Sequence, residues 1–254
     1  KYGVRINSDL VQDLRSTQIP IVTGYSNNRP IQELFKWPYS PLISSKNNHP
    51  ITNSLDGIKS DFISSIDTLK NNIKKTILLE SSNNSRLVQS PSKVSLGIIE
   101  NPPPAESYNK ENIPLAVLLT GKFTSVFKNR IVPKNNEINF KSSSDSTSII
   151  IVSDGDLIAN EVSSSGNAFP LGYDKFINYT FDGNKKFIIN AIQYLNDQNG
   201  LIKLRSKNIK LRLLNNDIIS NYRMPITIIN LILPILIFLF LIFIINQKNK
   251  LKYD

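Results

Sequence analysis

Cysteine is absent from the 254 residues, and histidine, methionine and tryptophan occur once each, as His49, Met224 and Trp37. Without a thiol there is no cysteine nucleophile and no disulfide, so cysteine catalysis is excluded and a domain outside the cytoplasm must hold together by packing alone. A single histidine cannot furnish a multi-histidine metal site or a cysteine-histidine pair. In Asn48-His49-Pro50 it is expected to organise a turn through its ring hydrogen bonds rather than to act as a catalytic base. Also missing are Gly-x-Ser-x-Gly, Gly-x-x-x-x-Gly-Lys and Gly-x-Gly-x-x-Gly, which removes the nucleophile elbow and both familiar phosphate-cradling loops. There is no internal repeat and no heptad. No catalytic residue, metal or cofactor is expected.

What the chain does have is a long apolar end. Residues 226–245 carry no charge, and Lys248, Lys250 and Lys252 follow at once. Twenty helical residues span about 30 Å, the hydrocarbon thickness of a bilayer, whereas buried core helices seldom exceed about 14 unbroken apolar residues. The expectation is one transmembrane helix over 223–247 and a short basic tail over 248–254. Three lysines against the single acid Asp254 place that tail in the cytoplasm and residues 1–222 across the membrane. Asn230 and Pro234 are the two odd residues within the span. A polar side chain and a proline-freed carbonyl are costly in lipid, so both are candidates for contact with a partner helix; the competing reading places Asn230 near the outer interface and makes Pro234 a tolerated kink.

The formal charge of +10 invites a nucleic-acid reading, but the positive residues are scattered. The densest group, Lys203, Arg205, Lys207, Lys210 and Arg212, lacks interleaved aromatics and alternates with Leu204, Ile209, Leu211 and Leu213. That is the solvated face of a strand, with anionic lipid headgroups or an acidic partner as the alternative contact. Nucleic acid is not expected as a partner.

Along the remaining chain, short β-branched apolar runs alternate with turn-forming clusters. Residues 19–23, 76–79, 94–99, 115–119 and 149–152 read as strands, continuous rather than alternating, as in strands buried on both faces. A helix is expected over 185–197, with Phe187, Ile188, Ala191, Ile192 and Leu195 on one face, Asp182 or Asn184 as cap and Gly200 as stop. Ile58, Phe62 and Ile66 fit a helix or a strand, and the neighbouring serines favour extended chain. Asn101-Pro102-Pro103-Pro104 should be an exposed connector, and the polar run 142–148 a loop leading into the strand at Ile149. Together these give a layered α/β domain.

The best site candidate is Asp154-Gly155-Asp156, at the carboxyl end of the strand over 149–152, where open α/β sheets place their ligands. The competing reading is a turn that caps the next segment of chain, with Asn160 supporting the loop. Calcium would need more oxygen ligands than these two carboxylates supply.

A resemblance accumulates over the chain. It rests on Pro114-Leu-Ala-Val-Leu-Leu-Thr-Gly-Lys-Phe-Thr-Ser-Val-Phe-Lys-Asn-Arg130, Ile151-Val-Ser-Asp-Gly-Asp156, Pro170-Leu-Gly-Tyr-Asp174 and Asn184-Lys-Lys-Phe-Ile-Ile-Asn190 with Tyr194-Leu195. Asn48-His49-Pro50-Ile51-Thr52, Gly200-Leu201-Ile202 and the run through Arg205-Ser206-Lys207 to Leu214 extend it. In order and spacing these segments resemble the GldG family, gliding-motility-associated ABC transporter substrate-binding proteins of Bacteroidetes. The resemblance implies that the chain is the carboxyl-terminal half of a longer protein, whose other half carries a second anchor and completes the domain. It implies a Rossmann-like fold related to class I glutamine amidotransferases, with the active site lost. It also implies a GldF-like permease and, through it, a GldA-like ATPase as partners, membrane lipid as surroundings, and a setting in gliding motility and type IX secretion, with further envelope machinery in reach. Ligand or partner contact would fall on Asp154, Gly155, Asp156, Asn160, Gly172 and Asp174. Three functions stay open: a non-enzymatic transporter subunit, a structural adaptor that handles no solute, and an anchored envelope hydrolase using Asp154, Asp156 or Asp174.

Overall fold

The computed structural model describes residues 1–45, 48–130, 140–197, 200–202 and 216–253. The chain forms two compact units, Lys1–Lys207 and Asn208–Asp254.

The first unit is a mixed sheet and helix domain centred on its most continuous apolar run. In β9 (Pro114–Thr124) residues 115–119 are all buried. It lies between β7 (Lys74–Glu80) and β10 (Ser143–Val152) in a three-stranded sheet. The two faces of β9 feed two cores. Ala116 and Leu118 pack with Ile43, Ile58, Leu78 and Phe187, while Val117, Leu119 and Phe123 pack with Ile66. Residues 19–23, 76–79, 115–119 and 149–152 all lie in strands, as their composition suggests.

The remaining strands are short, apart from one hairpin. β1 (Val4–Ile6) pairs with β6 (Ile66–Thr68), and β2 (Asp9–Asp13) with β8 (Ser85–Gln89). The hairpin joins β3 (Ser16–Ser26) to β4 (Arg29–Ile43) through Asn27 and Asn28, at φ 48° and 61°. Asparagine tolerates that left-handed pair, which matches the twist of a two-residue hairpin. The far half of the arm is exposed, so the strand over 19–23 is not the doubly buried one its sequence suggests. β4 ends on β5 (Ile58–Lys59), and β11 (Tyr173–Asp174) pairs with β12 (Tyr179–Thr180).

Every ladder among the described residues is antiparallel. A Rossmann-like or amidotransferase-like sheet is built from parallel strands. The resemblance implied such a sheet; the continuous apolar run of β9 instead belongs to the middle strand of an antiparallel sheet covered on both faces.

Three local expectations need correction. Residues 94–99 are not a strand; Val94 and Leu96 are exposed, and Ser95 Oγ accepts the Gly97 N–H at 3.2 Å, turning the backbone into the short helix α1 (Gly97–Glu100). The polar run 142–148 is not a loop. It forms the start of β10 and pairs with β9, and its serines suit the solvent-facing edge of a sheet. The main helix, α2 (Asp182–Asn196), is rotated from the expected stripe. Its buried residues are Gly183, Asn184, Phe187 and Ala191, whereas Ile192 and Leu195 are 53% and 46% exposed. Phe181 occupies the cap position, Asp182 lies in the first turn, and Gly200 falls beyond the Asp197 cap. Ile58 and Ile66 are in strands with Phe62 at φ 56° between them, and the Pro104 backbone has polyproline geometry in a largely exposed connector.

The second unit contains α3 (Asn216–Tyr253), with Pro225 and Pro234 inside it. Within its stretch Tyr222–Asn246 the most apolar 18 residues have a mean hydropathy of 3.2 with none of them buried, and the stretch is long and apolar enough to cross a membrane. The span expected over 223–247 falls within this helix. The basic group over 203–212 lies outside the described residues.

The rotation of α2 is set by a close approach. A Cβ at Gly183 would lie 2.5 Å from the Gly57 carbonyl oxygen and 2.6 Å from that of Asp56, both backbone atoms that cannot swing aside. Gly183→Ala should therefore destabilise the domain by about 2–3 kcal/mol, measured by denaturant unfolding of the full chain in mild detergent. A change below about 0.5 kcal/mol would mean the helix sits elsewhere.

Candidate functional site

The sequence candidates converge on one cleft of about 240 Å³. Asp156, Asn160 and Gly172 line it; Asp154 and Asp174 are buried beside it. β5 contributes Lys59, followed by Ser60 and Asp61, and Glu161, Tyr173 and Asn184 complete the wall.

Asn184 is the joint. Its side chain is 3% exposed, and its Oδ1 accepts the Lys59 N–H at 2.9 Å. Its Nδ2 donates to the carbonyls of Lys59 at 2.7 Å and Leu157 at 3.0 Å. The amide thus pairs with residue 59 as a neighbouring strand would and ties the 3-10 turn Asp156–Ile158 to both. It serves as a buried clamp, not as a helix cap.

Asp154 anchors the other side. One carboxylate oxygen accepts Ser60 Oγ at 2.7 Å and the Asp61 N–H at 3.3 Å, and the other accepts the Asp156 N–H at 2.8 Å. Burial pushes its carboxyl above the ordinary value against the pull of those three donors. Gly155 sits at φ −76° with open space around a Cβ, so no glycine is required there. Asn160 Nδ2 donates to the Phe169 carbonyl at 2.7 Å, which supports the loop. Gly172 does need to be glycine: its φ is +81° and a Cβ would strike the Phe181 carbonyl.

Lys59 holds the centre of the charge. Its Nζ lies 3.4 Å from Glu161 and Asp174 and 3.5 Å from Asp61, and Lys175 meets Glu161 from outside at 3.5 Å. Burial is the largest single influence on Lys59 and works against its charge. The carboxylates of Asp61, Asp174 and Glu161 together outweigh it and hold the ammonium above the ordinary lysine range. Asp174 is 1% exposed; one oxygen accepts the Phe176 N–H at 2.9 Å and the other is left to Lys59. The Asp156 side chain is exposed and makes no ion pair among the described residues. Among those residues no group of three or more His, Cys, Asp or Glu is placed to hold a metal ion.

His49 lies elsewhere. Its Nδ1 accepts the Ile51 N–H at 3.3 Å and its ring packs on Tyr194, 4.9 Å between centroids, so it does organise a turn. Burial, with the Lys74 charge, lowers its pKa. Sequence reasoning missed Lys59, Asp61 and Glu161. A lone lysine in a two-residue strand carries no local signal, because its partners come from 2, 102 and 115 residues away, at Asp61, Glu161 and Asp174.

The assembled picture is a β-rich domain with an ion-paired cleft, in a chain that also has one helix able to span a membrane. Residues 1–191 match a family model described as an ABC-type uncharacterized transport system, and the chain belongs to that family. It is thus an ABC transporter-associated protein. Neither a curated protein nor a solved structure matches it.

Lys59→Met should cost about 3–5 kcal/mol in denaturant unfolding, because Asp174 is left as an uncompensated buried charge. Adding Asp174→Asn should recover part of that loss; equal stability of Lys59→Met and the parent would refute the pairing. The pH dependence has a fixed sign. A folded-state pKa raised above the ordinary 10.5 gives stability that is complete below that value and lost as pH rises through the folded one. Lys59→Met should remove that alkaline loss.

Proposed function

We propose that the chain is a non-catalytic, membrane-anchored subunit of an ABC transporter complex of the GldG type. In this reading α3 is the anchor, the first unit is periplasmic and the tail cytoplasmic. The partners are a GldF-like permease and, through it, a GldA-like ATPase, and the setting is gliding motility and type IX secretion. The observation that carries it is the family match over 1–191 in a chain that also has a helix able to cross a membrane. The three lysines of the tail against one acid favour the orientation.

The cleft supports the non-catalytic part. Both Asp154 oxygens are engaged by neighbouring donors and Asp174 is held against Lys59, so neither stands ready for acid-base work. The kinship to amidotransferases has no parallel ladder behind it among the described residues, and the proposal does not rest on it. The cleft residues Asp156, Asn160 and Gly172 are the surface offered to a ligand or partner.

Within α3, Pro234 has no N–H to give, so the carbonyl four residues earlier, that of Asn230, lacks its helical donor. The Asn230 side chain adds a carboxamide at the same level, about 12 Å along the helix from Tyr222. A polar spot in an apolar span is suited to a helix of the permease.

Affinity purification of the full chain from native membranes should recover an ABC permease subunit. Asn230→Leu should insert normally yet reduce that recovery several-fold; undiminished recovery would place the contact elsewhere, and failure of the parent chain to recover any transporter subunit would overturn the assignment. For orientation, cysteines at Ser165, which is exposed, and at Lys250 should be probed with an impermeant maleimide in spheroplasts. Labelling at 165 alone is expected, and labelling at 250 alone would reverse the topology.

A further inference from the structure

A second cavity, of about 620 Å³, lies at the far end of β9 from the ion-paired cleft. β7 begins at Lys74, opposite Thr120, whereas β9 runs on to Thr124. Among the described residues no strand pairs with the β7 side of β9 beyond Thr120. The chain fills this notch with Lys1 and Tyr2 from one side and Asn71, Asn72 and Ile73 from another, around Lys122 and Thr124.

The lining has one chemical sign. Its side chains offer two ammonium groups, of which that of Lys1 also donates to the Ser125 carbonyl, two carboxamides, the hydroxyls of Tyr2 and Thr124, and no carboxylate. The Asn71 side-chain oxygen is taken by the Ile73 N–H at 3.1 Å and by Lys75 Nζ, which leaves its NH₂ as the free end. Lys122 makes no ion pair among the described residues and is exposed on its strand. Among the described residues flanking the hairpin end, Lys128, Arg130 and Lys141 stand against Asp145. Tyr2 and Ile73, both packed against the Phe123 core, give the notch an apolar wall.

We propose that this notch binds an oxyanion of the phosphate-ester class, presented by an anionic lipid headgroup or by a soluble phosphate ester. Ammonium and amide N–H groups make charge-assisted hydrogen bonds to phosphate oxygens, and the apolar wall accommodates the ester's carbon skeleton. The volume falls within the range of pockets that hold a small organic ligand. This inference does not depend on the transporter assignment.

The test uses the full chain in nanodiscs, with hydrogen exchange of the amides over 71–74 and 121–125 as readout. Discs of phosphatidylglycerol are compared with discs of phosphatidylcholine, the latter with and without millimolar glycerol phosphate. Binding slows exchange of these amides, by about threefold or more at saturating ligand. Slowing in phosphatidylglycerol alone assigns the lipid as source, and slowing on addition of glycerol phosphate assigns a soluble ester. Lys122→Glu should abolish the effect and Lys122→Gln should weaken it, while Lys185→Glu, on exposed α2 surface, should leave it intact. No slowing in any condition, or undiminished slowing in Lys122→Glu, overturns the proposal.

Discussion

The carboxamide of Asn184 is the constraint on which the arrangement of the first unit turns. It satisfies both backbone groups of Lys59 and the carbonyl of Leu157 from a fully buried position. Three stretches far apart in sequence thereby meet at one side chain: β5, the turn after β10, and the first turn of α2. Each of those backbone groups would cost about 1–3 kcal/mol if left buried without a partner. Gly183 next to it is the geometric counterpart, since only a residue without a side chain lets the helix approach the 56–57 backbone closely enough for the amide to reach.

The charges follow from that geometry. Once the backbone of Lys59 is pinned, its side chain is directed among Asp61, Glu161 and Asp174, and the buried Asp174 becomes tolerable because an ammonium faces it. Asp154 fastens the same segment from the other side through Ser60 and Asp61. The cleft is thus walled by groups already committed to one another, with the Asp156 and Asn160 side chains towards its exposed rim.

Much of this was legible in the residues, and the illegible parts share a cause. The apolar run over 226–245 stood out because it is longer than the unbroken apolar runs of most core helices. The β9 run and the Asp154 turn were readable because each is a local pattern, and Asp154, Asp156, Asn160, Gly172 and Asp174 do gather at one cleft. Strand direction was not readable, because a strand buried on both faces looks alike whether its neighbours are parallel or antiparallel. The stretch 94–99 has strand composition but no partner, and serine-mediated turning prevails there. The polar start of β10 has loop composition, and pairing with β9 prevails. The rotation of α2 departs from its hydrophobic stripe because one buried amide and one glycine outweigh the exposure of Ile192 and Leu195.

The most direct test of this account is native-state hydrogen exchange on Asn184→Ala in the full chain. If the amide is the joint, Lys59, Ala159 and the amides of α2 should lose protection together, by about a hundredfold, corresponding to roughly 3 kcal/mol. Faster exchange confined to Lys59, with α2 and the turn after β10 as protected as before, would contradict it.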